Sequence, residues 1–176
     1  DFIINAVKVK THGMTMLSGG VKNLFGTVPG LMKPEFHWRF PDKSQFCEML
    51  VDLCETIAPN LTIADAVVSM EGDGPTGGVP KQTGFLLSSL SPYALDMALC
   101  KMIGLSFGEV YTVKHAVEHG LCPKDISDIR IVGDELIRIP DFHMPKSKSI
   151  AFSEKIPRVF RPITDKLLTS KPVIRK

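Results

Sequence analysis

Residues whose chemistry suits ligand binding or catalysis are concentrated between residues 8 and 30, directly after an apolar run at residues 2–9. A lysine that is desolvated beside other cations has a lowered pKa and can act as a base or nucleophile. Lys10 and Lys22 are candidates for that behaviour, and His12 is a candidate general acid or base. We therefore predict that Lys22 and His12 are catalytic. The alternative is that these residues are surface charges around an ordinary loop.

The same stretch has a composition that favours the binding of an anion. Glycine lets the backbone approach a ligand closely, the start of a helix offers free N–H groups, and lysine supplies a point charge. Core packing does not require this mixture. The predicted ligand-binding residues of the stretch are Lys8, Lys10, Gly19, Gly20 and Asn23.

A second candidate segment, residues 71–78, combines four glycines with two acids at the end of a predicted strand. Ligand sites of open α/β sheets lie at such strand ends. Glu71 and Asp73 could hold a divalent cation or steer a base, or the segment could simply be a tight turn. Asp65 lies inside an apolar strand, where a carboxylate is costly unless paired, so we expect it to face the site more than Asp96 does. Asp96 is explained as a partner of a helix dipole.

The remaining histidines and the cysteines give weaker signals. His37 is a candidate because it lies in a predicted loop beside the only tryptophan, Trp38. His115 and His119 have the spacing of paired zinc ligands, but no third ligand follows, and a helix C-terminus explains His119. The cysteines lack the two-residue spacing of metal sites and are interpreted as buried, reduced thiols. They are Cys47, Cys54, Cys100 and Cys122.

Alternating apolar and helical patterns predict an α/β fold, layered, with a mostly parallel or mixed sheet flanked by helices. The segment between residues 70 and 84 holds no helix, so that strand pair could be antiparallel. A proline-rich break favours a loop over residues 35–40. The predicted strands cover residues 2–9, 61–70, 84–90 and 129–132, and the predicted helices cover residues 20–26, 42–58, 93–103 and 106–119.

Composition and charge indicate one α/β core, residues 1–138, followed by an irregular, basic, proline-containing arm or linker, residues 139–176. With 44% hydrophobic residues, the chain is too apolar to be disordered. It shows no membrane span and no signal peptide, so we expect a cytoplasmic protein. The chain opens almost directly in a strand, and we expect it to be part of a longer protein. The arm lacks Tyr and Trp for base stacking, so nucleic acid is not an expected partner.

Four motifs occur in order along the sequence: KVKTHGMT at 8–15, KNLFG at 22–26, MEGDGPTGG at 70–78 and SPYALD at 91–96. Together they resemble the family known as domain of unknown function 362, over residues 1–138. In that family the domain is often joined to a ferredoxin-like module with two four-iron clusters. The resemblance therefore implies iron–sulfur clusters in an adjacent module of the same polypeptide, with no cofactor in this chain, and it implies that the basic arm leads into that module. It names no established activity.

A shorter interval, from His12 through Gly19 and Gly20 to Lys22, is similar to a segment of the nickel-pincer lactate racemase family. In that family a lysine carries the cofactor covalently, and a histidine ten residues earlier takes part in proton transfer. The likeness implies that Lys22 would hold a cofactor and that His12 would move a proton. It also makes His37 a possible metal ligand.

Together these observations predict a domain of an iron–sulfur-associated protein that binds a small anionic substrate or cofactor, in redox-type chemistry. The predicted pocket lies where the segment with Lys10, His12 and Lys22 meets the loop with Glu71 and Asp73. The competing hypothesis is a non-enzymatic scaffold or electron-transfer partner whose basic arm docks another module.

Overall fold

The computed structural model describes residues 1–145, and the greater part of the predicted arm lies outside these residues. The strands are β1 Ile4–His12, β2 Met16–Ser18, β3 Leu61–Asp73 and β4 Gly77–Ser89. The helices are α1 Gly20–Asn23, α2 Met32–Arg39, α3 Lys43–Ile57, α4 Pro92–Ile103 and α5 Tyr111–Glu118. Two 3-10 turns, Leu24–Thr27 and Ile126–Asp128, complete the regular structure.

The four strands form one mixed sheet in the order β2-β1-β3-β4, which confirms the predicted α/β fold. β1 and β3 are parallel, with Lys8 opposite Asp65. β2 is antiparallel to β1, and it places Ser18 opposite Lys10. β3 and β4 form an antiparallel hairpin, which confirms that this connection needs no helix. The turn of this hairpin therefore lies beside the end of β1.

One face of the sheet is covered and the other is exposed. Val7, Val9 and Ala64 are buried against α4, in a cluster that includes Leu99. Because side chains alternate across a strand, the residues between them point the other way. The exposed face includes Ile4, Ile63, Val67 and Leu86. The continuous apolar run at the start of the chain predicts a strand that is covered on both faces, and this expectation is wrong for β1 within residues 1–145.

Local capping residues set the ends of the long helices. The Asp42 carboxylate accepts hydrogen bonds from the backbone N–H groups of Ser44 and Gln45, at 2.9 and 3.0 Å, and so starts α3. Ser91 caps α4, and Gly104, at φ +79°, ends that helix. Both predicted helices are confirmed because each carries its own start and stop signals.

Two predicted elements are wrong. Residues 35–39 belong to helix α2 and not to a loop, and Pro34 is tolerated because it lies in the first turn of that helix, where its missing N–H costs no hydrogen bond. The apolar segment at 129–132 pairs with no strand among residues 1–145, and Val132 is 78% exposed. Apolar composition alone does not make a strand without a partner.

The first residues of the predicted arm pack onto the domain. Ile139, Phe142 and Met144 contact the core, and the Ile139 N–H donates to the carbonyl oxygen of Met102 at 2.7 Å. The division of the chain at residue 138 stays a prediction. Among residues 1–145, no helix has the length and apolarity needed to cross a membrane, and the cytoplasmic location stays a prediction.

Candidate functional site

A cavity of about 360 Å³ lies beside β1, between the short helix α1, the helix α2 and the turn of the β3–β4 hairpin. Four lysines and two histidines line it, and no acidic side chain of residues 1–145 does so. We call it the basic cavity. Its lining residues are Lys8, Lys10, His12, Ser18, Lys22, Asn23, Phe25, Gly26, Lys33, His37 and Pro75.

The strand pairing explains why polar residues of β1 reach this cavity. Lys8 and Lys10 alternate with the buried Val7 and Val9, so their side chains leave the core. Ser18 lies opposite Lys10 in the antiparallel pair and shares its face of the sheet. The regular alternation of β1 thus builds one wall of the cavity.

His12, at the end of β1, is buried with its ring orientation fixed by the backbone. Its Nδ1 atom accepts hydrogen bonds from the N–H groups of Met14 at 3.1 Å and Thr15 at 3.4 Å. In a neutral imidazole with Nδ1 as the acceptor, the proton is on Nε2. Burial, together with the nearby charge of Lys22, lowers the pKa of His12 to about 3. His12 is therefore a neutral ring that offers an Nε2–H donor at neutral pH.

Lys22 is partly buried and lies over an aromatic ring. Its Nζ atom is 4.9 Å from the centroid of the Phe25 ring, and no carboxylate of residues 1–145 forms an ion pair with it. Burial lowers the pKa of Lys22 to about 8, and the positive charges of Lys10 and Lys33 act in the same direction. A substantial fraction of this amine is therefore neutral near pH 8.

His37 enters the cavity from α2 and is held between aromatic rings. It stacks on Phe46 with the ring centroids 4.6 Å apart, and it meets Phe25 edge-on at 5.5 Å. Burial lowers the pKa of His37, and the charge of Lys22 contributes to that shift. Helix α2 therefore brings His37 and Lys33 to the site together, which the prediction of a loop over 35–40 did not anticipate.

The N–H groups at the start of α1 are occupied by the protein itself. The fully buried Asp96 carboxylate accepts a hydrogen bond from the Gly20 N–H at 2.5 Å and one from the Val21 N–H at 3.2 Å. A Cβ atom on Gly19 would lie 2.0 Å from Oδ1 of Asp96. Gly19 and Gly20 are predicted to face a ligand, but they contact Asp96 instead and do not line the cavity.

Asn23 links α1 to the sheet while lining the cavity. Its Nδ2 group donates to Oδ1 of Asn5 at 2.8 Å and to the carbonyl oxygen of Ala6 at 2.9 Å. Asn5 in turn donates to the carbonyl oxygen of Gly20 at 2.8 Å. These hydrogen bonds hold α1, and with it Lys22, at a fixed position on β1.

The hairpin loop meets the end of β1 through its backbone and Pro75. The Gly13 N–H donates to the carbonyl oxygen of Gly74 at 3.1 Å, and a Cβ atom on Gly74 would lie 1.9 Å from the carbonyl oxygen of Thr11. The Nζ atom of Lys10 is 3.5 Å from the carbonyl oxygen of Pro75. The two predicted segments therefore meet at the cavity, and the loop residue that lines it is Pro75, not Glu71 or Asp73.

The predicted acids lie outside the basic cavity. The buried Glu71 carboxylate accepts a hydrogen bond from the His143 N–H at 2.9 Å and contacts Lys81 at 3.2 Å. Asp65 is half-exposed on the open face and pairs with Lys8 at 2.8 Å, and neither Asp65 nor the buried Asp96 lines the cavity. Asp73 lies at the end of β3, opposite Gly77.

The histidine pair on α5 has structural contacts. Nε2 of His115 lies 2.9 Å from Oγ of Ser44, and Nδ1 lies 3.1 Å from a Glu118 oxygen. Within residues 1–145, no three His, Cys, Asp or Glu side chains form a group that could hold a metal ion. His115 therefore joins α5 to α3, and a metal role for His37 stays a prediction.

Sequence reasoning missed three residues that build the site. Asp96 was interpreted only as a partner of a helix dipole, although it lies in the SPYALD motif. Lys33 was not predicted as a site residue, because the neighbouring Pro34 indicated a break in the chain and not a helix. Phe25 was assigned to an apolar stripe, although it lies three residues after Lys22, whose ammonium group it contacts. The sequence feature that could have identified Phe25 is the KNLFG motif at 22–26, which contains both Lys22 and Phe25.

Comparison with known proteins places the chain in a family. Residues 1–101 match the model described as domain of unknown function (DUF362). The chain is also 39% identical over 124 residues to the thylakoid-associated protein sll1697 of Synechocystis sp.. That match covers 70% of this chain and 39% of the relative, so the chain spans about two fifths of the relative's length. No solved structure matches the chain.

These matches leave the likeness to nickel-pincer lactate racemases a prediction. They agree instead with the four motifs, three of which, at 8–15, 22–26 and 70–78, contribute residues to the lining of the basic cavity. The family match covers more than half of the chain and includes β1 to β4 with most of α4. The chain therefore belongs to the DUF362 family of domains of unknown function.

Proposed function

We propose that this domain binds a small anionic molecule in the basic cavity, with Lys22 and His12 as the groups that act on it. The observation that carries the proposal is the uneven charge of the cavity wall, which has four lysines and no acidic residue. The volume of about 360 Å³ suits a small metabolite. Lysines in a partly buried cavity attract an anion more strongly than they would in open water.

The arrangement supports a definite division of roles. Lys8 is already paired with Asp65, so Lys10, Lys22 and Lys33 are the cations left to hold an anionic group. His12 can donate a hydrogen bond from Nε2 without carrying charge, as suits a group that polarises a carbonyl or carboxylate oxygen. Its lowered pKa argues against the predicted role as a general base that cycles near neutral pH.

A thermal-shift experiment on the 176-residue chain tests the proposal. Phosphate, pyruvate and 2-oxoglutarate are the probes, each at low ionic strength because salt screens such binding. A probe at a hundred times its Kd stabilises the fold by about 2.7 kcal/mol. We expect the shift to be lost in Lys22→Met and kept in Lys124→Met, which removes an exposed lysine that does not line the cavity.

The outcome separates the two functional hypotheses. If no probe raises the melting temperature of the wild-type chain, the basic cavity is not an anion site and the scaffold hypothesis is favoured. If Lys22→Met and Lys124→Met lose the shift equally, binding depends on overall charge and not on the cavity. Circular dichroism of Lys22→Met must match the wild type for the comparison to hold.

We further propose that the iron–sulfur clusters implied by the resemblance belong to a separate ferredoxin-like module of the same polypeptide, with redox chemistry as the corresponding activity. Iron–sulfur clusters need cysteine thiolates, and all four cysteines of this chain lie within residues 1–145, where they form no metal-binding group. These residues do not fit a cluster. Iron and sulfide should be found in the full-length protein and not in the 176-residue chain.

A second candidate is a metal-containing cofactor bound covalently to Lys22, as the likeness to lactate racemases implies. The observation that favours it is that His12, Lys22 and His37 line one cavity. Lys22 would hold the cofactor and His12 would move a proton. A transition metal or a mass adduct on Lys22, in protein purified from its own host, would support this candidate. A bare native mass without metal beyond cluster iron would refute it.

A further inference from the structure

We propose that Lys22 forms an imine with the carbonyl carbon of a small 2-oxo acid whose carboxylate group lies among the lysines of the basic cavity. This inference rests on the proposed anion binding. It adds that the ligand carries a carbonyl group next to its anionic group and that it bonds covalently to the protein.

The surroundings of Lys22 differ from those of the paired lysines. Lys8 contacts Asp65 at 2.8 Å and Lys81 contacts Glu71 at 3.2 Å, so an acid holds each of these ammonium groups in its charged form. Lys22 has the face of Phe25 at 4.9 Å and no acidic partner among residues 1–145. An amine without a counter-ion, against an apolar ring, is the lysine of this cavity best able to lose its proton.

The nearby charges reinforce this effect and also fix the class of ligand. Burial is the main cause that lowers the pKa of Lys22 to about 8, and Lys10 and Lys33 add repulsion. The same two cations would attract a carboxylate once a ligand enters. A neutral amine beside cations that bind an anion is the arrangement by which a lysine attacks an oxo acid.

His12 supplies the hydrogen bond that the carbonyl oxygen needs. Its Nδ1 atom is occupied by the N–H groups of Met14 and Thr15, which leaves Nε2–H as the donor on a neutral ring. Such a donor can stabilise the negative charge that develops on the oxygen during attack. His12 is thus inferred to orient and polarise the carbonyl group.

The covalent step balances without any further reactant. The neutral amine of Lys22 adds to the carbonyl carbon, forming an N–C bond while the π bond to oxygen breaks. The oxygen leaves as water, carrying both hydrogens of the amine, and a C=N bond remains. No electrons enter or leave the system, so neither an oxidant nor a reductant is required.

Reductive trapping tests the imine directly. The 176-residue chain is incubated with pyruvate or 2-oxoglutarate and sodium cyanoborohydride near pH 8, and intact mass and peptide mapping follow the adduct. We expect one adduct, on Lys22, to form on the order of tenfold or more faster than adducts on other lysines, because more of this amine is neutral. Excess phosphate should slow the reaction by competing for the cavity.

Two variants and one analogue make the result decisive. Lys22→Arg keeps the charge but cannot form an imine, so it should lose the fast adduct, whereas Lys124→Met should keep it. Lactate has a hydroxyl group in place of the carbonyl, so it should give a thermal shift without an adduct. Matching circular dichroism spectra of wild type and Lys22→Arg show that the loss is chemical.

The failures of the two proposals are distinguishable. A thermal shift with pyruvate but no fast adduct on Lys22 overturns the imine and leaves anion binding standing. No shift and no adduct overturn both. A fast adduct on another lysine, or a native mass adduct already present on Lys22, also overturns the imine.

Discussion

Burial, more than any single charge, sets the protonation of three groups around α1. It is the leading cause that lowers the pKa of His12 to about 3 and of Lys22 to about 8, and that raises the pKa of Asp96 to about 7. All three shifts favour the neutral form, as desolvation requires. The basic cavity thus combines a positively charged wall with a neutral His12 ring and a Lys22 amine that is easily deprotonated, while Asp96 lies outside the cavity at the start of α1.

The Asp96 carboxyl group gives a pH-dependent prediction at this scale. Its pKa of about 7 in the fold lies above the ordinary value of 3.8, so the folded state binds the proton more tightly than the unfolded chain does. The contribution to stability is therefore full below pH 4 and is lost as the pH rises towards 7. As the pH rises from 4 to 7, we expect the free energy of unfolding of the wild type, relative to that of Asp96→Asn, to decrease by a few kcal/mol.

Urea unfolding of the wild type and of Asp96→Asn at several pH values measures this difference. Asparagine keeps one oxygen to accept the Gly20 N–H and cannot titrate, so a constant cost of the lost second hydrogen bond is expected on top of the pH-dependent part. If the free energy of unfolding of the wild type minus that of Asp96→Asn is independent of pH, or increases with rising pH, the two backbone donors keep Asp96 ionised throughout.

At the scale of elements, local signals were read correctly and non-local ones were not. Helices α3 and α4 could be predicted because Asp42, Ser91 and Gly104 mark their ends within the sequence itself. Helix α2 could not, because Pro34 has the same sequence signal in a first turn as in a loop. The partner of Glu71 lies 72 residues away, at His143, and no spacing rule reports such a contact.

The segment at residues 139–145 is held in place by Glu71, which leads to the second prediction. Glu71 accepts from the His143 N–H at 2.9 Å and lies 3.0 Å from Nδ1 of the same histidine, and the Gly72 N–H donates to the carbonyl oxygen of His143 at 2.8 Å. Burial alone would raise the pKa of Glu71, but these hydrogen bonds and Lys81 lower it. Glu71→Gln should loosen this segment by about 1–3 kcal/mol.

Hydrogen exchange at the amides of Gly72 and Ile139 reports the loosening, because the Gly72 N–H donates to His143 and the Ile139 N–H ties the start of the same segment to Met102. Asp65→Asn is the matched control, since it removes a half-exposed ion pair with Lys8 that contributes little to stability. Because the pKa of Glu71 is lowered, its stabilisation should be present above about pH 4.5 and lost in acid. Equal protection in wild type and Glu71→Gln would mean that the packing of Phe142 and Met144 holds the segment without Glu71.

At the scale of the whole molecule, the site could be predicted in part. The lysines and His12 were found because their types are unusual after a buried strand, and the hairpin was expected at the same edge of the sheet. The open face carrying Ile4, Ile63 and Leu86 was not expected, because apolar residues on both sides of a strand normally indicate two covered faces. Sequence composition reports what a residue is suited to contact, and the fold decides whether that contact is made.

The cysteines test whether the molecule unfolds as one unit. Two core clusters lie side by side: Cys100 belongs to the cluster between the sheet and α4, and Cys54 belongs to the cluster around α3. The half-buried Cys122 contacts both clusters. Burial raises the pKa of Cys54 to about 11 and that of Cys100 well above its ordinary value, so neither thiol should react in the native state.

We expect the thiol reagent DTNB to modify Cys122 first, because it is the more exposed thiol, and to modify Cys54 and Cys100 only through global opening. In a Cys122→Ser variant, peptide mapping should then show equal rates for Cys54 and Cys100, both changing with urea in proportion to the free energy of unfolding. The shared contacts of Cys122 and the continuous sheet make separate opening of the clusters costly. A rate for Cys54 that exceeds the rate for Cys100 in the absence of urea would show that the α3 cluster opens on its own, and with it the wall that carries His37 and Phe46.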